Sequence, residues 1–234
     1  MNILAIGAHP DDIEFGCAHV LMLEARKGNT VKLLVLSKGE ASSNGTPENR
    51  EAEARAAAKI MGAEIQFVDL GGDCHLQYIP ENAYKIASLI REFKPAIMLA
   101  PHTDENQHPD HAVAGRLARD ACRFARYGGL DVLRRFSQSG DATHAVGSLY
   151  FYSITKEFGA PNLVVDIGPV FDDWVKAMEC YESQMRTRSY ADLRISAARN
   201  LGLSIGASYA AGLYVNDPVR VAAISELTLS SRHY

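Results

Sequence analysis

Asn2-Ile3-Leu4-Ala5-Ile6-Gly7-Ala8-His9-Pro10-Asp11-Asp12 decides how this 234-residue chain is read. Residues 2–7 are a short apolar run that stops at a glycine, the signature of a buried strand. Ala8–Asp12 then sets one imidazole and two carboxylates within four residues of each other, directly after that strand. Residues 13–27 follow with helical spacing and end at Gly28, so the opening segment is strand, polar turn, helix.

The same alternation continues outward. Residues 30–36 read as a second strand, and the Gly/Ser-rich stretch 37–47 as a loop. Residues 48–61, rich in Ala, Glu and Arg and closed by Gly62, read as a helix. A third strand is expected at 64–68, a helix led by proline at 80–93, a fourth strand at 96–100, a polar loop at 101–110 and a helix at 112–125. Later strands are expected at 148–153 and 163–167, and helices at 171–186 and 190–200. Strands alternating with helices over about 130 residues predict a Rossmann-like α/β fold: three layers, α/β/α, around a mostly parallel sheet. Its first four strands should lie in the order 3-2-1-4. Ligands in such sheets bind beyond the carboxyl ends of the strands where the order reverses, here strands 1 and 4. A single domain over 1–234 is expected, with 1–130 as the core and 131–234 completing the pocket.

Bulk properties narrow the function. Apolar residues make up 47% of the chain, charged residues 22%, and the net charge is −4 with no long basic run, so neither nucleic acid nor a membrane surface is an expected partner. No signal or membrane-spanning segment is expected. Cys17, Cys74, Cys122 and Cys180 are widely spaced without a C-x-x-C, which argues against a disulfide framework and for a reducing, cytoplasmic setting.

The topology makes neighbours of two polar clusters: His9, Asp11 and Asp12 after strand 1, and His102, Asp104, His108, Asp110 and His111 after strand 4. Together they offer a His/Asp/His set for zinc, with acid–base groups to spare. Each residue has a plainer reading. Asp11 or Asp110 could cap the helix that follows it, and His102 could be loop polarity. A first βα turn could also bind a dinucleotide, but G-x-G-x-x-G is absent. A metal-binding module without turnover and a nucleotide-binding regulator are the readings from other classes. Spacing alone leaves open which of Asp11 and Asp12 meets the metal.

Ala8–Asp12 (AHPDD) and His108–His111 (HPDH) resemble the paired motifs of the LmbE-like (PIG-L) zinc-dependent deacetylases, which act on N-acetylglucosamine conjugates. The likeness extends to Arg50-Glu51-Ala52-Glu53-Ala54. It continues through Val165-Asp166-Ile167, Trp174, Lys176-Ala177 and Cys180-Tyr181-Glu182-Ser183-Gln184. Those residues and the stretch GLSIGASYAA (202–211) are similar to the bacillithiol-pathway branch that hydrolyses N-acetylglucosaminyl malate. The resemblance implies His9, Asp12 and His111 as ligands of one Zn2+ per chain, with Fe2+ as the other metal such donors accept. It implies Asp11 as general base, His108 near the oxyanion, Asp110 orienting that histidine, and Arg50 and Tyr190 at the substrate. A small N-acetylated amino sugar is the expected partner, diacetylchitobiose or a thiol–sugar conjugate being alternatives, and a homo-oligomer, trimer or hexamer, is expected. Gln107 departs from the branch by lacking a positive charge for malate, which Arg186 and Arg188 could supply. Cys74 and His75 follow strand 3 and could line the pocket. Glu14 reads as a supporting charge, and 126–145 as a lid or an interface.

Overall fold

The computed structural model describes residues 1–105, 108–136, 142–227 and 230. Its strands are β1 (Asn2–Gly7), β2 (Thr30–Val35), β3 (Glu64–Phe67), β4 (Ile97–Pro101), β5 (Ser148–Tyr152), β6 (Leu163–Asp166) and β7 (Ala210–Val215). They form one seven-stranded sheet in the order β3-β2-β1-β4-β5-β7-β6. The pairs from β3 through β5 are parallel, and β7 runs antiparallel between β5 and β6. The expected 3-2-1-4 order is present, with its reversal between β1 and β4.

Successive side chains of a strand point to opposite faces, so β1 feeds two cores. Ile3 and Ala5 join one, and Leu4 and Ile6 the other. The first core is roofed by α2 (Ala18–Arg26), α3 (Pro47–Met61), α6 (Phe171–Glu179) and α8 (Tyr190–Ser204), through residues such as Leu21, Ala57, Trp174 and Ala198. The second is roofed by α4 (Pro80–Phe93) and α5 (Pro109–Arg126), through Ile86, Ile90, Ala114 and Leu117. These are the three layers the alternation predicts.

Four features differ from the sequence reading. The helix expected at 13–27 is two helices, α1 (Asp12–Gly16) and α2, separated by Cys17 at φ −147°. The wholly buried Tyr152 ring lies against Gly16, where any β-carbon would overlap it, and its hydroxyl donates to the Ile6 carbonyl at 2.6 Å. The helix expected at 171–186 breaks where Tyr181 turns into the core beside Phe15, with ring centroids 6.2 Å apart, leaving the short α7 (Glu182–Met185). β7 is a further strand: its first half, Ala210-Ala211-Gly212, carries no strand signal, and Leu213-Tyr214-Val215 alone is too short a run to read as one. Finally, α5 begins at Pro109, which places Asp110 and His111 in its first turn rather than in the preceding loop. Among the described residues no helix is long and apolar enough to cross a membrane.

Two predictions concern this packing. Gly16→Ala drives a methyl group into the Tyr152 ring and is expected to cost about 1–3 kcal/mol; an unchanged urea midpoint would contradict the contact. Burial pushes the Glu14 carboxyl up to about 8. Between the ordinary carboxyl range and that value the unfolded chain has lost this proton while the folded chain keeps it, so stability falls as pH rises across the window. In metal-free protein, Glu14→Gln should therefore gain on the wild type between pH 6 and pH 8. An equal wild-type-to-variant difference at both pH values would refute the assignment.

Candidate metal centre and active site

The site starts at the sharp turn after β1. Asp11 sits at φ 96°, in the left-handed region that side chains other than glycine rarely occupy. It precedes α1 but makes no side-chain capping bond, so the capping reading does not account for it. Its carboxylate instead meets Arg50, with Nη2 3.2 Å from Oδ2, and the same nitrogen donates to the Pro10 carbonyl at 2.6 Å. Arg50 comes from α3 and is buried. Gly39, at φ 71°, makes room for the guanidinium, since a β-carbon there would collide with it. Burial raises the Asp11 carboxyl to about 7 against the opposing pull of Arg50.

Asp12 is turned the other way. Its Oδ2 accepts the His9 backbone N–H at 2.9 Å and lies 3.6 Å from His9 Nδ1, while its Oδ1 is 3.0 Å from His111 Nε2. Burial would raise the Asp12 carboxyl, but His111 and His9 hold it well below the usual range. Burial likewise opposes the charged form of His9, yet Asp12, together with hydrogen bonds to Asp110, Asp12 and Asp73, holds its pKa well above the ordinary value.

His108 is the residue before α5, and its Nδ1 accepts the Asp110 backbone N–H at 3.2 Å. Burial and the charge on His9 lower its pKa. A neutral ring accepting at Nδ1 carries its proton on Nε2. Asp110 was expected to orient His108, and its contacts reach both histidines. The Asp110 carboxylate approaches His108 Nδ1 only to 4.0 Å, whereas Oδ2 lies 3.2 Å from His9 Nε2 and accepts the Cys74 N–H at 2.9 Å. Asp110 thus holds His108 through its backbone N–H and His9 through its carboxylate.

Asp73 was missed. It lies in the loop after β3, immediately before Cys74 and His75. Its Oδ1 is 3.1 Å from His9 Nε2 and 3.5 Å from His108 Nε2. The signal that could have found it is its place at the carboxyl end of a parallel strand, beside those already singled out.

These residues open onto a pocket of about 340 Å3. His9, Asp11, Asp12, Arg50, Cys74, His108, His111 and Tyr190 all contribute to its lining. Tyr190, half-buried at the start of α8, packs on Phe15 with ring centroids 6.0 Å apart. His75, Arg186 and Arg188 are exposed and do not line it. His102 stacks on Phe158 at 4.1 Å, a packing role. Glu14 is buried beneath the turn, its carbonyl accepting Trp174 Nε1 at 2.8 Å. Gln107 and part of the 126–145 segment (137–141) lie outside the described residues. A larger cavity, about 770 Å3, faces the opposite end of β5, near Arg119, Arg123, Arg126 and Arg220, and contains none of these groups.

The donors fit a divalent metal. A tetrahedral ion with ligands at about 2.1 Å has ligand–ligand edges of about 3.4 Å. Asp12 faces His111 with Oδ1 at 3.0 Å and His9 with Oδ2 at 3.6 Å, so its carboxylate stands between the two rings with one oxygen toward each. His9, His108 and His111 also present ring nitrogens within 4.8 Å of one another. A cation there would take over from the proton that His9 holds among three carboxylates.

Comparison with known proteins places this arrangement. Residues 4–122 match the PIG-L family model, described as GlcNAc-PI de-N-acetylase. Diacetylchitobiose deacetylase of Thermococcus kodakarensis is 32% identical over 194 residues, 78% of this chain and 70% of that protein. 4-Oxalmesaconate hydratase of Pseudomonas putida is 25% identical, covering 91% of this chain and 88% of its own length. The crystal structure of the conserved protein TT1542 from Thermus thermophilus superposes with a TM-score of 0.82 at 32% identity, covering 94% of this chain and 96% of that one. With half its length inside the family model and a 32%-identical relative across 78% of it, the chain belongs to the PIG-L de-N-acetylase family and is an enzyme of that hydrolytic class.

Proposed function

We propose that the protein hydrolyses the acetamide of an N-acetylglucosamine conjugate, releasing acetate and a free amino sugar, with His9, Asp12 and His111 holding one zinc or ferrous ion. The observation that carries the reading is Asp11. It is a carboxylate that ligation does not need, held by Arg50 in a left-handed turn beside the ligand trio, with its pKa raised to about 7. A metal held there would supply Lewis-acid polarisation of the acetamide carbonyl and a water of pKa about 7.

The chain's own groups supply the rest. Asp11 takes the proton of the attacking water. His108, with its proton on Nε2, donates a hydrogen bond to the developing oxyanion. Asp11 then returns its proton to the departing amine, so no covalent intermediate is required. Asp110 fixes the tautomer and orientation of His9 through Nε2, as second partners of metal-binding histidines do. Arg50 acts on Asp11 and the Pro10 carbonyl, which makes it a positioning residue more than a substrate contact.

The lining also bears on the substrate. Among the described lining residues Ser42, Ser43, Asn44, Thr155, Gln184 and Thr187 are neutral hydrogen-bonding groups, Asp73 is acidic, and the one Lys or Arg side chain, Arg50, already faces Asp11. Such a surface suits the hydroxyls of a neutral glycan such as diacetylchitobiose better than N-acetylglucosaminyl malate. It equally disfavours the carboxylate substrate for which the hydratase relative is named. Arg186 and Arg188 lie outside the described lining, which offers no further cation for the malate of the bacillithiol pathway.

Acetate release by metal-reconstituted protein is expected to be faster with diacetylchitobiose than with N-acetylglucosaminyl malate. The reverse order would overturn the charge argument, and no acetate from either would overturn the reaction. Asp11→Asn is expected to lower kcat by about 10²–10⁴-fold at unchanged metal content. Near-normal turnover would remove Asp11 as the base.

A further inference from the structure

His9 has two ring nitrogens and faces carboxylates with both. Nδ1 looks toward Asp12, and Nε2 toward Asp73 and Asp110. The second group is as well formed as the first. His9 Nε2 lies 3.1 Å from Asp73 Oδ1 and 3.2 Å from Asp110 Oδ2, and Asp73 Oδ1 lies 3.5 Å from His108 Nε2. Those edges bracket the roughly 3.4 Å edge of a tetrahedral zinc site. All four residues present one ligand atom each within 4.8 Å of one another. Asp73, Asp110 and His9 are buried, with His108 at the mouth. Asp110 Oδ2 also accepts the Cys74 N–H at 2.9 Å, yet the two carboxylates converge on one nitrogen of His9 in a desolvated pocket, a charge arrangement that favours a cation.

We propose that this cluster is a second divalent-cation position, formed by Asp73, His108 and Asp110 beside His9, and that its occupation inhibits the enzyme. The inference rests on the reading above that the first metal is held by His9, Asp12 and His111. The second position is the weaker one. With Nδ1 of His9 engaged by the first ion, Nε2 joins only by giving up its proton, so the second ion relies chiefly on Asp73, Asp110 and His108. It inhibits because its ligands are working groups: bound His108 Nε2 can no longer donate to the oxyanion, and Asp110 is drawn off His9. Cys74 Sγ lies 3.5 Å from both His108 Nε2 and Asp73 Oδ1, so the position should prefer borderline-soft ions such as zinc over magnesium. The rate would therefore respond to the free concentration of such a metal, rising as the first site fills and falling as the second does.

The test is metal stoichiometry, which needs no substrate. Metal-free protein is dialysed against buffered Zn2+, bound metal is counted per chain, and Co2+ absorption follows the coordination. Wild type is expected to take up two equivalents, the second at least about tenfold weaker than the first. Asp73→Asn and, independently, His108→Ala should keep the first equivalent and lose the second. His111→Ala should lose the tighter one. One equivalent in the wild type, or two in both Asp73→Asn and His108→Ala, would overturn the proposal. So would loss of the tighter equivalent in Asp73→Asn, which would move the primary metal to this cluster. In acetate release by the wild type, inhibition should follow occupation of the second equivalent. A protein that binds two ions but deacetylates nothing would defeat the proposed function while leaving the second site standing.

Discussion

The Asp12 carboxylate ties the two motif-bearing walls of the pocket together. One of its oxygens closes the turn after β1 by accepting the His9 N–H, and the other reaches His111 in the first turn of α5. That is a contact between segments about a hundred residues apart, made possible because β1 and β4 are adjacent in the sheet. Once Asp12 is committed in this way, the chain immediately before it must turn sharply, and Asp11 is forced into its left-handed conformation. The strain is held by neighbours rather than relieved: Arg50 binds both Asp11 and the Pro10 carbonyl, and Gly39 leaves space for the guanidinium. Two adjacent carboxylates thus come to face different ways with different proton affinities. Asp12 is held well below the usual range by two histidines, and Asp11 is pushed up to about 7 by burial.

The packing behind the turn serves the same end. Gly16 and Tyr152 break what would be one long helix, so that only five residues, Asp12–Gly16, follow the turn before the chain changes course. The Tyr152 hydroxyl then binds the Ile6 carbonyl and pins the last part of β1 from the side of β5. On the opposite wall, Gln184 donates to the Asn44 carbonyl and Asn44 to Thr187, joining the loop after β2 to the region of α7. The pocket is in this way built from segments spread along most of the chain, which is why the family likeness had to extend into the C-terminal third to be informative about it.

Much of this was legible in the sequence, for identifiable reasons. The central parallel strands are buried on both faces and read as mostly apolar runs, broken in β2 only by Thr30 and Lys32 at its start, which made β1, β2 and β4 plain and, with the helices between them, gave the strand order. The two metal-type motifs stood at the two strands flanking the reversal, where topology alone makes them neighbours. What was not legible depended on tertiary contact. The helix breaks at Cys17 and Tyr181 answer to rings arriving from elsewhere, and β7 opens on three small residues, Ala210 to Gly212, whose pairing is with β6. Asp73 was hidden because a lone carboxylate in a loop has no periodicity to betray it. The roles of Asp110 and Arg50 turn on distances of an ångström or less, which spacing along a chain does not encode.

Anomalous diffraction at the zinc edge, on crystals of protein carrying one equivalent of zinc per chain, tests the central claim most directly. The account predicts a single strong peak bounded by the Asp12 carboxylate and ring nitrogens of His9 and His111, with Asp11 outside the coordination sphere. A peak among Asp73, His108 and Asp110 instead, or Asp11 bound to the ion in place of Asp12, would contradict it.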